Sequence, residues 1–109
     1  MPFTTVLTNN HNGVATITLH RPEALNAITT TMLAELKQAL EDAAKDETIG
    51  VVVFTGTGRA FSAGVDLKAL GNRSLEKGGI GPILDDPARA VIAAIQTIPK
   101  VVIAKVNGY

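Results

Sequence analysis

The sequence has no cysteine, which excludes disulfides and thiolate zinc sites and agrees with a reducing compartment. It has no surplus of either charge. Ten Lys and Arg balance ten Asp and Glu, no basic stretch stands out, and the pattern argues against a nucleic-acid partner. No apolar run approaches the length that spans a bilayer, although 46% of the 109 residues are hydrophobic and the mean hydropathy is +0.23. The opening Met1-Pro2-Phe3-Thr4-Thr5 lacks the charged and apolar regions of a signal peptide. These absences leave a core-rich α/β piece of at most one small domain, with no membrane partner and the cytoplasm as its expected compartment.

What is present alternates strands with helices. Thr4 to Leu7 and Val14 to Leu19 flank Asn9-Asn10-His11-Asn12-Gly13, and Asn-Gly is a hairpin signal. Ala15, Ile17 and Leu19 alternate with Thr16, Thr18 and His20, as in a strand with one polar face. Arg21-Pro22-Glu23 breaks that strand. Met32, Leu33, Leu36, Leu40, Ala43 and Ala44 then recur at three- and four-residue steps, predicting an amphipathic helix from about Thr29 to Lys45, capped by Thr29 or Thr30. Its charged residues (Glu35, Lys37, Glu41, Asp42, Lys45) read as a solvated face. Val51-Val52-Val53-Phe54 reads as a buried strand. Residues 71–86, with four Gly and one Pro, read as a mobile loop. Asp86 and Pro87 suit the start of a second helix with Val91, Ile92, Ile95 and Ile98 on its apolar face, stopped by Pro99. Val101 to Val106 is a further strand. Two strands followed by helix, strand, helix and strand imply parallel crossovers. Such a sheet needs cover on both faces, and the expectation is an amino-terminal piece of a larger α/β unit.

The segment Gly58-Arg59-Ala60-Phe61-Ser62-Ala63-Gly64-Val65-Asp66-Leu67-Lys68 leaves the Val51 strand directly and is rich in small residues. A Gly lets a ligand reach the backbone, and the next N–H can point at a negative oxygen. From spacing alone, Ala63-Gly64-Val65 reads more plainly as a tight strand-to-helix turn. Ala60-Phe61-Ser62-Ala63-Gly64 falls short of a G-x-S-x-G nucleophile elbow, with Ala in the first Gly position, so an α/β-hydrolase with Ser62 as nucleophile is the weaker alternative. Gly56-Thr57-Gly58 lacks the third Gly of a dinucleotide loop, and no Walker lysine follows. His11 and His20 have no Cys or carboxylate at ligand spacing, so no metal is expected. Asp66 suits the cap of a following helix better than an acid catalyst.

Arg21-Pro22-Glu23-Ala24-Leu25-Asn26-Ala27, Phe61-Ser62-Ala63-Gly64-Val65-Asp66-Leu67 and Pro99 to Val106-Asn107-Gly108-Tyr109 stand in an order and spacing that resemble the crotonase superfamily. Within it the sequence is most similar to enoyl-CoA hydratase/isomerase proteins. The resemblance implies a crotonase-like α/β fold of ββα repeats with a parallel sheet flanked by helices, incomplete here, with residues 1–109 as the amino-terminal part of one domain. It implies an acyl-CoA enzyme that stabilises a thioester enolate with backbone N–H groups, the first at Val65, and that needs no cofactor beyond the coenzyme A of its substrate. Ala24 and Leu25 would line the pantetheine path, Ala63 would lie near the adenine, and Lys68 near the phosphates. Gly64, Asp66 and Leu67 complete the implied binding stretch. Glu23 stands where many relatives carry a basic residue. The second N–H donor and the acid/base carboxylates belong to later sequence, and a trimer or hexamer is the implied assembly. The contrasting expectation is a non-catalytic α/β fragment that serves assembly.

Overall fold

The computed structural model describes residues 3–64 and 81–108. Strands β1 (Val6–His11) and β2 (Val14–Leu19) meet at Asn12-Gly13, whose φ values are +51° and +81°. Two successive positive φ values make the tight turn whose twist suits an antiparallel pair, and Asn and Gly enter that region at least cost. Pairing runs without interruption from Val6↔Leu19 to His11↔Val14. Strand β1 therefore differs from its sequence-based outline. Asn9, Asn10 and His11 are strand rather than turn, and Thr4 and Thr5 precede the strand rather than open it. The physical reason is its edge position: Leu7 to His11 are all exposed, so polar side chains carry no desolvation cost while the backbone ladder continues.

Helix α1 (Thr30–Lys45) starts where a hydroxyl can serve a free N–H: Thr29, in extended conformation, accepts from the Met32 N–H at 3.1 Å. Its buried residues are Met32, Leu33, Leu36, Ala39, Leu40 and Ala43, which is the predicted stripe with Ala39 added and Ala44 only half-buried. Strand β3 (Val51–Gly56) pairs parallel with β2, and β4 (Val101–Ala104) pairs parallel with β3, giving the order β1-β2-β3-β4.

Helix α2 (Gly81–Thr97) corrects the outline of the second helix and of the 71–86 loop. It opens at Gly81, so Pro82 rather than Pro87 lies in the first turn, where a missing N–H breaks no helical bond. Pro87 lies inside the helix. Val91 is buried and Ile95 and Ile98 pack on the core, but Ile92 is more than half exposed. One residue step turns a helix by about 100°, so a stripe at 91, 95 and 98 leaves 92 beside it.

The core lies between the helices and one face of the sheet. Ala15, Ile17 and Leu19 of β2 and Val52 and Phe54 of β3 join Val6, Val91 and the α1 stripe in a single cluster. Each new parallel strand is added on the same side, and right-handed crossovers then set both helices on one face, where α1 and α2 touch. The alternate residues Val14, Val51, Val53, Val101 and Ile103 share the opposite face, which no described helix covers. Among the described residues, no helix is long and apolar enough to cross a membrane.

Candidate functional site: a cradle at the carboxyl ends of the strands

Because β2, β3 and β4 are parallel, the segments that leave them emerge at one edge of the sheet. Those are the three segments that carry the sequence motifs. The first, after β2, makes a short 3-10 turn (Pro22–Ala24) and then places Leu25 and Asn26 in the left-handed region, at φ +53° and +56°. Such a conformation costs roughly 1–2 kcal/mol per non-glycine residue. Here it is offset by a dense set of bonds. Asn26 is fully buried. Its Oδ1 accepts from the Arg21 N–H at 2.8 Å, and its Nδ2 donates to the carbonyls of Thr57 (3.0 Å) and Ala60 (2.8 Å). The Arg21 guanidinium donates to the Ala27 carbonyl at 2.7 Å and closes the turn.

The second segment, after β3, folds back over its own strand. A Cβ on Gly56 would stand 2.5 Å from the Ala60 carbonyl oxygen and 2.6 Å from that of Phe61, so only glycine permits the fold-back. The two segments then run side by side. The Ala63 N–H donates to the Leu25 carbonyl at 2.9 Å, and the Ile28 N–H donates to the Gly64 carbonyl at 2.7 Å. Gly64 itself has φ +103°, a backbone conformation that side-chain-bearing residues rarely adopt. The third segment, after β4, reaches the same loop through Asn107. Its Oδ1 accepts from the Gly56 N–H at 3.1 Å, and its Nδ2 donates to the carbonyls of Gly58 (2.9 Å) and Ala60 (3.1 Å).

A cavity of about 400 Å³ opens here, lined by Leu25, Arg59, Ala60 and Ala63. The structure thus brings Leu25 and Ala63, 38 residues apart in sequence, into one wall. Gly64 is half-buried beside them. Ala24, on the 3-10 turn, is also half-buried but does not line this cavity, and Glu23 is exposed. Val65, Asp66, Leu67 and Lys68 lie outside the described residues, as do residues 71–80. Arg59 was not anticipated as a site residue. It is exposed on the cavity wall, and a cation two positions before Phe61 was the available signal.

Ser62 takes part as a brace. Its hydroxyl donates to the Asn26 carbonyl at 2.9 Å and accepts from the Gly64 N–H at 3.2 Å. A nucleophilic serine needs a base within hydrogen-bond reach. Among the described residues, His20 instead pairs its Nδ1 with the Thr57 hydroxyl at 3.0 Å, and His11 contacts Asn12. The hydrolase alternative therefore finds no support in this geometry. The roles of Asn26 and Asn107 were also missed in sequence, where they were only letters of motifs. Asn26 did carry a signal, because Asn tolerates the left-handed region and offers both a donor and an acceptor.

Comparison with known proteins points to one family. The family described as enoyl-CoA hydratase/isomerase matches residues 9–109. The chain is 38% identical over 97 residues to a probable peroxisomal enoyl-CoA hydratase 1 of Arabidopsis thaliana, covering 89% of this chain and 34% of that protein. It is 36% identical over 107 residues to the 1,2-epoxyphenylacetyl-CoA isomerase of Escherichia coli K12, covering 94% of this chain and 40% of the relative. A crystal structure of an enoyl-CoA hydratase/isomerase from Xanthobacter autotrophicus Py2 superposes with a TM-score of 0.86 at 34% identity, over 98% of this chain and 40% of that one. The chain thus spans well under half the length of these proteins.

Proposed function

Because the chain belongs to the enoyl-CoA hydratase/isomerase family, we propose that the protein hydrates or isomerises an enoyl-CoA thioester, and that the cradle forms one wall of its thioester site. The observation that carries this reading is the paired Leu25–Ile28 and Ala63–Gly64 backbone, fixed at a positive-φ glycine beside an apolar cavity. In such reactions negative charge gathers on the thioester oxygen, and an oriented N–H stabilises it without reorganising at the moment of reaction. The Ile28 bond to the Gly64 carbonyl fixes the backbone up to Gly64, and the donor is assigned to the next position in sequence, Val65. Leu25 and Ala63 suit the apolar part of a coenzyme A chain. Arg59, with Lys68, would supply positive charge for its phosphates, in place of the cation absent at Glu23. The second oxyanion donor, the acid/base residues, a trimeric or hexameric assembly and a cytoplasmic location belong to the same proposal. The names of two relatives place them in peroxisomes and mitochondria.

The test uses the protein as encoded, with hydration of a crotonyl thioester followed by loss of its conjugated absorbance. Val65→Pro removes the N–H and should lower kcat by roughly 10²–10³, whereas Val65→Ala keeps the donor and should change it modestly. Ser62→Ala should retain activity, because it removes a brace and no nucleophile. Circular dichroism establishes that each variant is folded. Full activity in a folded Val65→Pro protein would overturn the oxyanion role, and abolition by Ser62→Ala would restore the hydrolase reading.

A further inference from the structure

We infer that Asn107 is a positioning residue for the proposed reaction: with Asn26 it clamps the loop 57–60 through one shared carbonyl, that of Ala60, and so sets where Gly64 stands. The inference rests on the functional reading above. The orientation of both amides follows from their partners. The N–H groups of Arg21 and Gly56 can only donate, so they face the two Oδ1 atoms, and the carbonyls of Thr57, Gly58 and Ala60 can only accept, so they face the two Nδ2 groups. Both N–H bonds of each Nδ2 are thereby used, and the Ala60 carbonyl receives one from each side chain. One amide comes from the exit of β2, the other from the exit of β4, and the loop they hold leaves β3.

Three residues separate Ala60, the owner of this doubly held carbonyl, from Gly64. Within them Ser62 is bonded to the Asn26 carbonyl and Ala63 to the Leu25 carbonyl, and Gly64 is bonded to Ile28. A displacement of Ala60 therefore has no slack in which to dissipate before Gly64. Neither asparagine lines the cavity, so neither is placed to touch substrate. Their effect passes through the loop. Asn107 is also exposed, unlike Asn26, so water can serve its partners after substitution and the fold should survive.

The protein as encoded, with Asn107→Asp and Asn107→Ala, tests the clamp. The Asp variant keeps an acceptor for the Gly56 N–H but turns a carboxylate oxygen toward two carbonyl oxygens; the Ala variant loses both ends. Each should lower kcat on a crotonyl thioester by up to the order of 10²-fold, as a misplacement of about 1 Å does, with KM and coenzyme A affinity nearly unchanged. Amide exchange at Ala63 and Gly64 should rise in parallel. Unchanged exchange in Asn107→Asp overturns the clamp whatever the activity, and so does a kcat loss matched by equal loss of coenzyme A affinity. If the wild-type protein turns over no enoyl thioester while exchange still rises, the functional reading fails and the catalytic half of this inference falls with it.

Discussion

The carboxylate of Glu35 accepts from the N–H groups and hydroxyls of both Thr4 and Thr5, at 2.6–3.2 Å, and ties the approach to β1 onto α1. Desolvation of this half-buried group works to raise its pKa. The donors, the Thr5 hydroxyl foremost, outweigh it and hold the carboxyl below its usual value. A folded-state pKa that lies below the unfolded one stabilises fully above the unfolded value, and the contribution is lost as pH falls through the folded one. Glu35→Gln should therefore lower stability near neutral pH by on the order of 1–2 kcal/mol, with an amide N–H now facing donors. Urea unfolding at neutral pH and again well below the carboxylate range would check this, since the two proteins should converge in acid. A gap that persists there would mean that charge is not its source. In sequence Glu35 is one of five charged residues on a solvated face, and Lys37 and Glu41 do form an exposed pair there at 3.8 Å. What sets Glu35 apart is a partner thirty residues away, which helical periodicity does not encode.

Helix α1 ends on a side chain from another part of the chain. The Lys100 ammonium, just before β4, donates to the carbonyls of Ala43 and the C-cap Asp46, which also accept from the N–H groups of Asp46 and Ile49 at the carboxyl terminus of the helix. A cation there also opposes the negative end of the helix dipole. Lys100→Met should cost about 1–2 kcal/mol in urea unfolding and speed amide exchange in the last turn of α1. Equal stability of the two proteins would show that water caps these carbonyls as well. The elements differ in legibility for reasons of this kind. The α1 stripe and a threonine cap at 29 or 30 depend on residues three or four apart and are read directly, and the structure selects Thr29. The Asn12-Gly13 turn is equally local, yet the reach of β1 to His11 depends on pairing with β2. The start of α2 was misplaced because two prolines, Pro82 and Pro87, each suit a first turn.

Across the described residues, one sheet face is packed by helices and the other is not, with Val101 at 59% and Ile103 at 48% exposure beside Val51 and Val53. Contiguous apolar surface of this kind acts as an interface or an aggregation liability. Residues 1–109 produced alone should therefore associate or bind a hydrophobic dye, as light scattering and dye fluorescence would show. A monodisperse monomer with a cooperative thermal transition would refute this. The strand alternation in sequence already contained that face, since Val51 and Val53 are as apolar as Val52 and Phe54. Only the topology told which of the two the helices cover, because both crossovers run the same way. The same division holds for the candidate site. Residue types alone determined the hairpin turn, the helix cap, the buried β3 and the glycine-rich exit from it, each being a matter of backbone preference or period within a few residues. Tertiary structure alone decided that Leu25 meets Ala63, that Ile28 holds Gly64, and that Asn26 and Asn107 converge on Ala60. Hydrogen-bond capacity is written in a residue, but its partner, here more than thirty residues away, is chosen by the parallel strands that bring their carboxyl ends to one edge.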